Sequence, residues 1–253
     1  MIEIILLAFF AGLTMEFIDS SLGGGYGTVL TPIFLIIGFT TPQIVPMILL
    51  SEILTGIIGG MFHHKFGNVG RGAVKYVTPF AIGGTLFALI TAITVNKFWI
   101  NLYIGILVLI LGILMLIRYW KNRNNNYISE KVYKNRLPFI GVLIGFNKGL
   151  TGGGFGPILA GGLSWSGYDP KKVVGSTTLT EGLVCLIGFL GYWLIKGIKT
   201  INWSIAIPLI AGALLATYPA AYMTNKIPKK LLGVLVSITI ILMGIAVLTK
   251  LPS

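Results

Sequence analysis

Long apolar stretches dominate this chain and alternate with short polar breaks. Six of them are long enough to cross about 30 Å of hydrocarbon as helices that rise about 1.5 Å per residue. They cover residues 43–63, 73–95, 98–119, 172–195, 203–225 and 231–249. With 55% hydrophobic and only 10% charged residues, the chain has too little polar surface for a soluble domain. The pattern predicts an all-α integral membrane protein.

Four further apolar segments are shorter or border glycine-rich motifs. Residues 27–38 and 156–167 would each form a helix of about 18 Å, and residues 137–150 one of about 21 Å, so none of these spans comfortably. Residues 2–20 are long enough to span the bilayer, so whether this first segment is a short or a full-length helix stays open. We predict that each half contains a glycine-hinged pair of short helices followed by three transmembrane helices.

The two glycine motifs are copies of each other. Gly23-Gly24-Gly25-Tyr26-Gly27 returns 129 residues later as Gly152-Gly153-Gly154-Phe155-Gly156, and the same offset places Glu52 on Glu181. The chain is therefore one unit duplicated, with a first transmembrane repeat over 1–120, a basic linker over 121–136 and a second repeat over 137–253. Broken hydrophobic segments at matching places in two halves point to the substrate site of a transporter.

The basic residues bear on how the two halves are oriented. If each short pair turns back at its hinge, the halves are inverted; if it continues across, they run parallel. The inverted arrangement places 14 Lys and Arg on the linker side and 4 opposite, against 12 and 6 for the parallel one. Because basic residues concentrate in cytoplasmic loops, inversion is favoured and the linker is predicted to be cytoplasmic. Because the basic residues cluster in the linker and at the ends of apolar stretches, membrane orientation accounts for the net charge of +12. No nucleic-acid partner is predicted.

The hinges have a chemical rationale. Consecutive glycines reach backbone angles forbidden to other residues and leave their peptide N–H groups uncovered. A helix that starts after such a hinge has unpaired, partly positive N–H groups, which can receive an anion. The alternative is that the glycines, and the hydroxyls beside them, only serve close helix packing. The predicted substrate-binding residues are Ser20, Ser21, Gly23, Gly24, Gly25, Asn147, Lys148, Thr151, Gly152, Gly153 and Gly154.

Five charged residues lie within apolar segments, where each costs at least about 2.5–3.5 kcal/mol and usually faces a cavity or a partner. They are Glu16, Asp19, Glu52, Lys148 and Glu181. Lys148 is the equivalent of Asp19, so the two either pair as a structural bridge or Lys148 adds positive charge to an anion site. Asp19, Glu52 and Glu181 are predicted to couple protons or gate, because burial favours the protonated form of a carboxyl group. The alternative is neutral carboxyls hydrogen-bonded between helices.

No metal or cofactor is predicted. The single cysteine, Cys185, excludes a multi-cysteine metal site, and we interpret it as an ordinary buried residue. The adjacent pair His63 and His64 lacks a third ligand.

Several motifs together carry a family likeness over essentially the whole chain. They are the paired hinges, Ser51-Glu52, Thr180-Glu181, and Gly167-Tyr168-Asp169-Pro170 with its following Lys171-Lys172. In these the chain resembles the sulfite exporter TauE/SafE family. The resemblance implies a secondary transporter in the cell membrane, linked to protons, that moves a small sulfur-containing anion such as sulfite or an organosulfonate.

The predicted mechanism is alternating access between the inverted halves, with a small anion, protons and the lipid bilayer as partners. A passive anion channel is the first alternative. An intramembrane enzyme is the second, although the chain has no catalytic spacing of side chains. The anion, the transport direction and the oligomeric state stay open.

Overall fold

The computed structural model describes residues 2–120, 133–197, 201–224 and 226–251, and the regular elements in these ranges are all helical. The helices are α1 (Ile2–Leu22), α2 (Tyr26–Ile37), α3 (Thr41–Lys65), α4 (Arg71–Thr94), α5 (Lys97–Trp120), α6 (Leu137–Thr151), α7 (Phe155–Trp165), α8 (Pro170–Lys196), α9 (Trp203–Met223) and α10 (Lys229–Thr249), with a 3-10 turn at Lys134–Arg136. Residues 121–132 of the predicted linker lie outside the described residues.

Six helices of the described chain are long and apolar enough to cross a membrane: α3, α4, α5, α8, α9 and α10. They coincide with the six apolar stretches of the sequence, so the prediction of a multi-pass, all-α membrane protein is confirmed. Apolar side chains cover much of their outer surface, as in Leu194, which is 85% exposed. Lipid tails would cover this surface in the bilayer.

The helices on either side of each glycine motif are separate, as predicted. In the first half, α1 has 21 residues and α2 has 12; in the second half, α6 has 15 and α7 has 11. Helix α1, the segment whose length the sequence left open, is therefore longer than its counterpart α6. The helix breaks at Gly23 (φ 85°) and Gly152 (φ 71°), because both adopt left-handed backbone that residues with a Cβ avoid.

Contacts between the two halves occur in matched sets. Under the 129-residue offset, α6 is the equivalent of α1, and α9 is the equivalent of α4. Helix α1 packs along α9, and helix α6 packs along α4. Helix α3 packs against its own equivalent α8, and α5 against its own equivalent α10. Each contact thus has a counterpart under the 129-residue offset, as expected when two copies of one unit pack around a shared axis.

The direction of each helix pair follows from which residues touch. Along α3 and α8, Leu49 lies against Gly188 and Gly60 lies against Leu179, so these equivalent helices run antiparallel. The glycines let the two backbones approach closely, as is common between membrane helices.

Helices α4 and α6 run in the same direction. Gly145 lies against Ala81, and Gly149, one turn later, lies against Thr85. Helices α1 and α9 are also parallel, since Gly12 lies against Leu209 and Thr224 Oγ1 donates to Ser20 O.

Candidate functional site

The two glycine hinges cross each other inside the protein. Gly24 lies against Gly156, and Gly27 lies against Gly153, and these two contacts are equivalent under the repeat offset. A Cβ added to Gly27 would lie 1.8 Å from the carbonyl oxygen of Gly152. The crossing therefore requires glycine, and it places the duplicated motifs at the buried junction of the halves.

Hydroxyl groups of the first half hold the second hinge. Thr31 Oγ1 donates to Thr151 O at 2.8 Å, and the N–H of Gly154 donates to Thr28 Oγ1 at 3.0 Å. Thr151 Oγ1 also accepts from the N–H of Gly153 at 3.0 Å. These bonds fix the left-handed segment around Gly154 against α2.

The hinge N–H groups were predicted to face an anion, but in this conformation many have acceptors inside the protein. The N–H groups of Gly23 and Gly24 donate to Asp19 O, and that of Gly152 donates to Lys148 O at 2.9 Å. The N–H of Tyr26 donates to the Asp19 carboxylate at 2.9 Å. Asp19 thus supplies the first turn of α2 with the negative charge that a helix N-terminus favours.

Lys148 lies between the two equivalent glutamates. Its Nζ donates to Glu181 Oε1 at 2.7 Å and forms an ion pair with Glu52 Oε2. Lys148 is 0% exposed, and both glutamates are buried. The ion pairs of Lys148 in the described chain are these two, so the structure does not contain the predicted alternative of an Asp19–Lys148 bridge. We call Lys148, Glu52 and Glu181 the central triad.

Helix packing brings the triad together. Glu52 comes from α3, Glu181 from α8 and Lys148 from the last turn of α6. Helices α3 and α8 are equivalent and antiparallel, so residues related by the repeat offset come close together near the middle of their contact. This brings Glu52 and Glu181 to the same lysine. The second half supplies lysine to this junction, while the first half has Asp19 at the equivalent position.

Two residues near the triad were not predicted as part of the site. Cys185 Sγ donates to Glu52 Oε2 at 3.6 Å, although the sequence suggested an ordinary buried cysteine. Its position one helical turn after Glu181 was a usable signal. Glu16 is 2% exposed and accepts from Ser20 Oγ at 2.6 Å; it precedes Asp19 by three residues, which places both carboxyls on one face of α1.

Some predicted substrate ligands retain unused hydrogen-bonding capacity. Ser21 Oγ and Asn147 Nδ2 are buried and have no hydrogen-bond partner among the described residues, and the same holds for Glu52 Oε1. The carbonyl oxygen of Asn147 accepts from the Tyr103 hydroxyl, which leaves its amide nitrogen as a free donor. Buried polar atoms are normally paired, so each of these atoms is available to a ligand or a water molecule.

Other hydroxyls near the hinges are satisfied locally. Thr177 and Thr178 donate to carbonyls one turn back in α8, and Ser176 Oγ accepts from the N–H of Gly70 at 2.8 Å. These three hydroxyls form hydrogen bonds within or between helices. This corresponds to the alternative in which hydroxyls serve helix packing and do not bind substrate.

Comparison with known proteins identifies a family and two relatives of this chain. The family model described as "Sulfite exporter TauE/SafE" matches residues 8–247. A relative from Bacillus subtilis (strain 168), named probable membrane transporter protein YtnM, is 34% identical over 93% of this chain and 79% of its own length. A second relative from the same organism, probable membrane transporter protein YdhB, is 25% identical over 97% of this chain and 99% of its own length. No solved structure matches the chain significantly.

The matched region contains both hinges, the central triad and, of the six long helices in the described chain, five completely and α10 up to Val247. The chain therefore belongs to the sulfite exporter TauE/SafE family and is a multi-pass membrane transporter.

Proposed function

We propose that the protein is a proton-linked secondary transporter of a small sulfur-containing anion, sulfite or an organosulfonate, that works by alternating access. The sulfur chemistry rests on the name of the family. The link to protons rests on the central triad, in which one fully buried lysine is shared by two buried glutamates from opposite halves.

An inverted arrangement of the halves is supported by the helix directions. Helices α3 and α8 are equivalent under the repeat offset, yet they run antiparallel. Two repeats inserted in the same orientation would have parallel equivalents. The charge distribution, with 14 Lys and Arg on the linker side and 4 opposite, points to the same topology. Inverted repeats around a central site are a common architecture of secondary transporters.

Lys148 is the best candidate for the anion-binding cation. Among the residues that the structure describes, it is the one lysine or arginine that is fully buried. The unpaired donors Ser21 Oγ and Asn147 Nδ2 could supply hydrogen bonds to the oxygens of a sulfite or sulfonate group. A charged donor contributes more to such binding than a neutral one.

Charge balance suggests how protons enter the cycle. The triad carries two carboxylates for one ammonium group, so an anion that binds Lys148 competes with both carboxylates for its single positive charge. A carboxylate left unpaired in a buried site is costly. Protonation of Glu52 or Glu181 as the anion arrives would remove that cost, so each anion would move together with a proton.

The packed crossing of the hinges favours a carrier over an open channel. Gly27 and Gly153 are in backbone contact, and an anion that crosses here needs the two hinges to separate. Rocking of one half against the other would separate them, with the glycines absorbing the change in backbone angles. A passive channel has no need of this closed contact.

Transport by purified protein in liposomes tests the proposal. We expect Lys148→Ala and Glu181→Gln each to abolish uptake of labelled sulfite or sulfonate, while Lys75→Ala and Glu3→Gln, at exposed positions, keep it. Size-exclusion profiles show whether each variant is folded. Uptake at the wild-type rate in both triad variants would reject these assignments.

Kinetics separate the carrier from the channel. A carrier saturates with substrate and shows counterflow, in which unlabelled anion on one side drives labelled anion to accumulate there. A linear flux without counterflow would support the channel instead.

A further inference from the structure

An apolar groove runs between α5, α6 and α7 on the outer surface of the helix bundle. Its cavity volume is about 390 Å³, and its walls include Leu111, Leu143, Ile158 and Phe139. Phe139 is 73% exposed, so the groove opens sideways, towards the region that lipid tails occupy. The described residues of the lining include one ionic side chain, Arg118.

The charged end of the groove lies on the linker side of the protein. Arg118 is in the last turn of α5 and is exposed. Close by, Arg136 stacks on the Trp165 ring at 4.0 Å and donates to the Trp165 carbonyl at 2.8 Å, and Trp165 itself lines the groove. An arginine beside a tryptophan at a helix end is typical of the headgroup level of a bilayer.

The duplication does not repeat the groove, which lies between α5 of the first half and α6 and α7 of the second half. Gly161 and Gly162 line it, and a Cβ added to Gly161 would have no atom within 4 Å. The first half has Pro32 and Ile33 at the positions equivalent to the two glycines, and the second half has Val247 at the position equivalent to Arg118. Neither the space nor the positive charge of the groove is therefore repeated at the equivalent positions of the chain.

We propose that this groove binds one acyl chain of an anionic phospholipid, with the lipid phosphate at Arg118. The apolar walls complement the hydrocarbon chain. The guanidinium group complements the phosphate, because arginine makes strong, directional hydrogen bonds to phosphate oxygens. Among the described residues, none of those that line the groove is acidic, so none of them repels the headgroup. The interaction is independent of transport, so it can be measured without a substrate.

Native mass spectrometry of the delipidated protein, titrated with dioleoyl phosphatidylglycerol or dioleoyl phosphatidylcholine, tests the proposal. For the first lipid that binds, we expect the affinity of the wild type to be about fivefold higher for phosphatidylglycerol than for phosphatidylcholine, as one arginine near a lipid headgroup implies. Arg118→Gln should remove this preference. Gly161→Leu should fill the groove and weaken binding of both lipids.

Matched controls separate the groove from the rest of the surface. Gly83, on α4, also has no atom within 4 Å of an added Cβ, and Arg71 lies at the N-terminus of α4. Gly83→Leu and Arg71→Gln should both bind lipid like the wild type. Glycerol phosphate, which has the headgroup without the chains, should not compete.

Three results would overturn the proposal. The first is equal affinity of the wild type for the two lipids, and the second is unchanged lipid binding in Gly161→Leu. The third is a dimer that is present in the wild type and lost in Gly161→Leu, since this would assign the groove to a second copy of the chain.

Discussion

The closeness of the hinge crossing makes Gly27→Ala an informative substitution. The new Cβ would lie 1.8 Å from the Gly152 oxygen and 3.0 Å from the Gly153 Cα, whereas carbon–oxygen contacts are normally about 3.3–3.6 Å. The hinges would have to move apart by about 1.5 Å. Both obstructing atoms are backbone, so no side chain can rotate away to relieve the overlap.

The size of the effect can be worked out. Overpacking costs about 1–3 kcal/mol, and backbone overlap argues for the upper end of that range. Alanine gains about 1 kcal/mol over glycine in a helix, so the net loss of stability is about 2 kcal/mol. For a protein of this size that loss lowers Tm by about 4–8 °C. If the crossing is a state in the transport cycle, its population falls about thirtyfold, and uptake should fall at least about tenfold.

Thermal unfolding in detergent and uptake in liposomes measure the two effects. Gly83→Ala is the matched control, because Gly83 is also helical but its added Cβ meets nothing within 4 Å. The control should be as stable as the wild type or slightly more stable, and it should transport normally. If Gly27→Ala retains both wild-type Tm and wild-type uptake, the contact between the hinges does not exist in the working protein.

Three further predictions concern the hinge bonds, the triad and the topology. Thr31→Val removes the hydroxyl that binds Thr151 O, and we expect about 1 kcal/mol lower stability, seen as a Tm about 2–4 °C lower; an unchanged Tm would contradict the assigned bond. Lys148→Met leaves two buried glutamates unpaired and should cost about 3–5 kcal/mol at neutral pH, with part of the loss recovered at acidic pH as the glutamates protonate; a loss independent of pH would contradict this charge balance. Lys97 and Lys226 are equivalent under the repeat offset, so in a Cys185→Ala background a membrane-impermeant thiol reagent should label Lys97→Cys from outside the cell and Lys226→Cys only from inside. Labelling of both from the same side would exclude inverted halves.

The fold was largely predictable because two strong signals agree. Apolar length predicts the six long helices, and the return of the glycine motif after 129 residues predicts the duplication. The boundaries of the short helices also follow from sequence, since three glycines in a row cannot continue a helix cheaply. Only the first segment was left open, because residues 2–20 are long enough to span the bilayer whereas its counterpart in the second half is not.

The sequence singles out the three residues of the central triad as charges in apolar segments, but it does not predict how they pair. The repeat offset identifies Glu52 and Glu181 as equivalents, yet it does not say which side chains face each other once α3, α6 and α8 pack. The offset also pairs Asp19 with Lys148, but in the structure the Asp19 carboxylate accepts from the N–H of Tyr26 at the start of α2, whereas Lys148 lies between the glutamates. Equivalence in sequence concerns position within a repeat, whereas contact depends on how the repeats cross.

The hinge amides illustrate a second limit of sequence reasoning. Glycine motifs indicate where N–H groups lose their helical acceptors, but they do not indicate what replaces those acceptors. In this conformation the replacements are Asp19, Thr28 and Thr151. Parting of the halves would break the contact between Thr28 and Gly154, and only then would that amide be free for an anion.

The central claim is that an anion and a proton move together through the Lys148, Glu52 and Glu181 junction. Liposomes that contain the protein and an internal pH dye test it most directly, with an inward gradient of sulfite or sulfonate as the only driving force. We predict internal acidification in step with anion uptake, and no acidification above that of protein-free liposomes for the Glu52→Gln, Glu181→Gln double variant. Anion uptake by the wild type without any accompanying proton movement would contradict the claim.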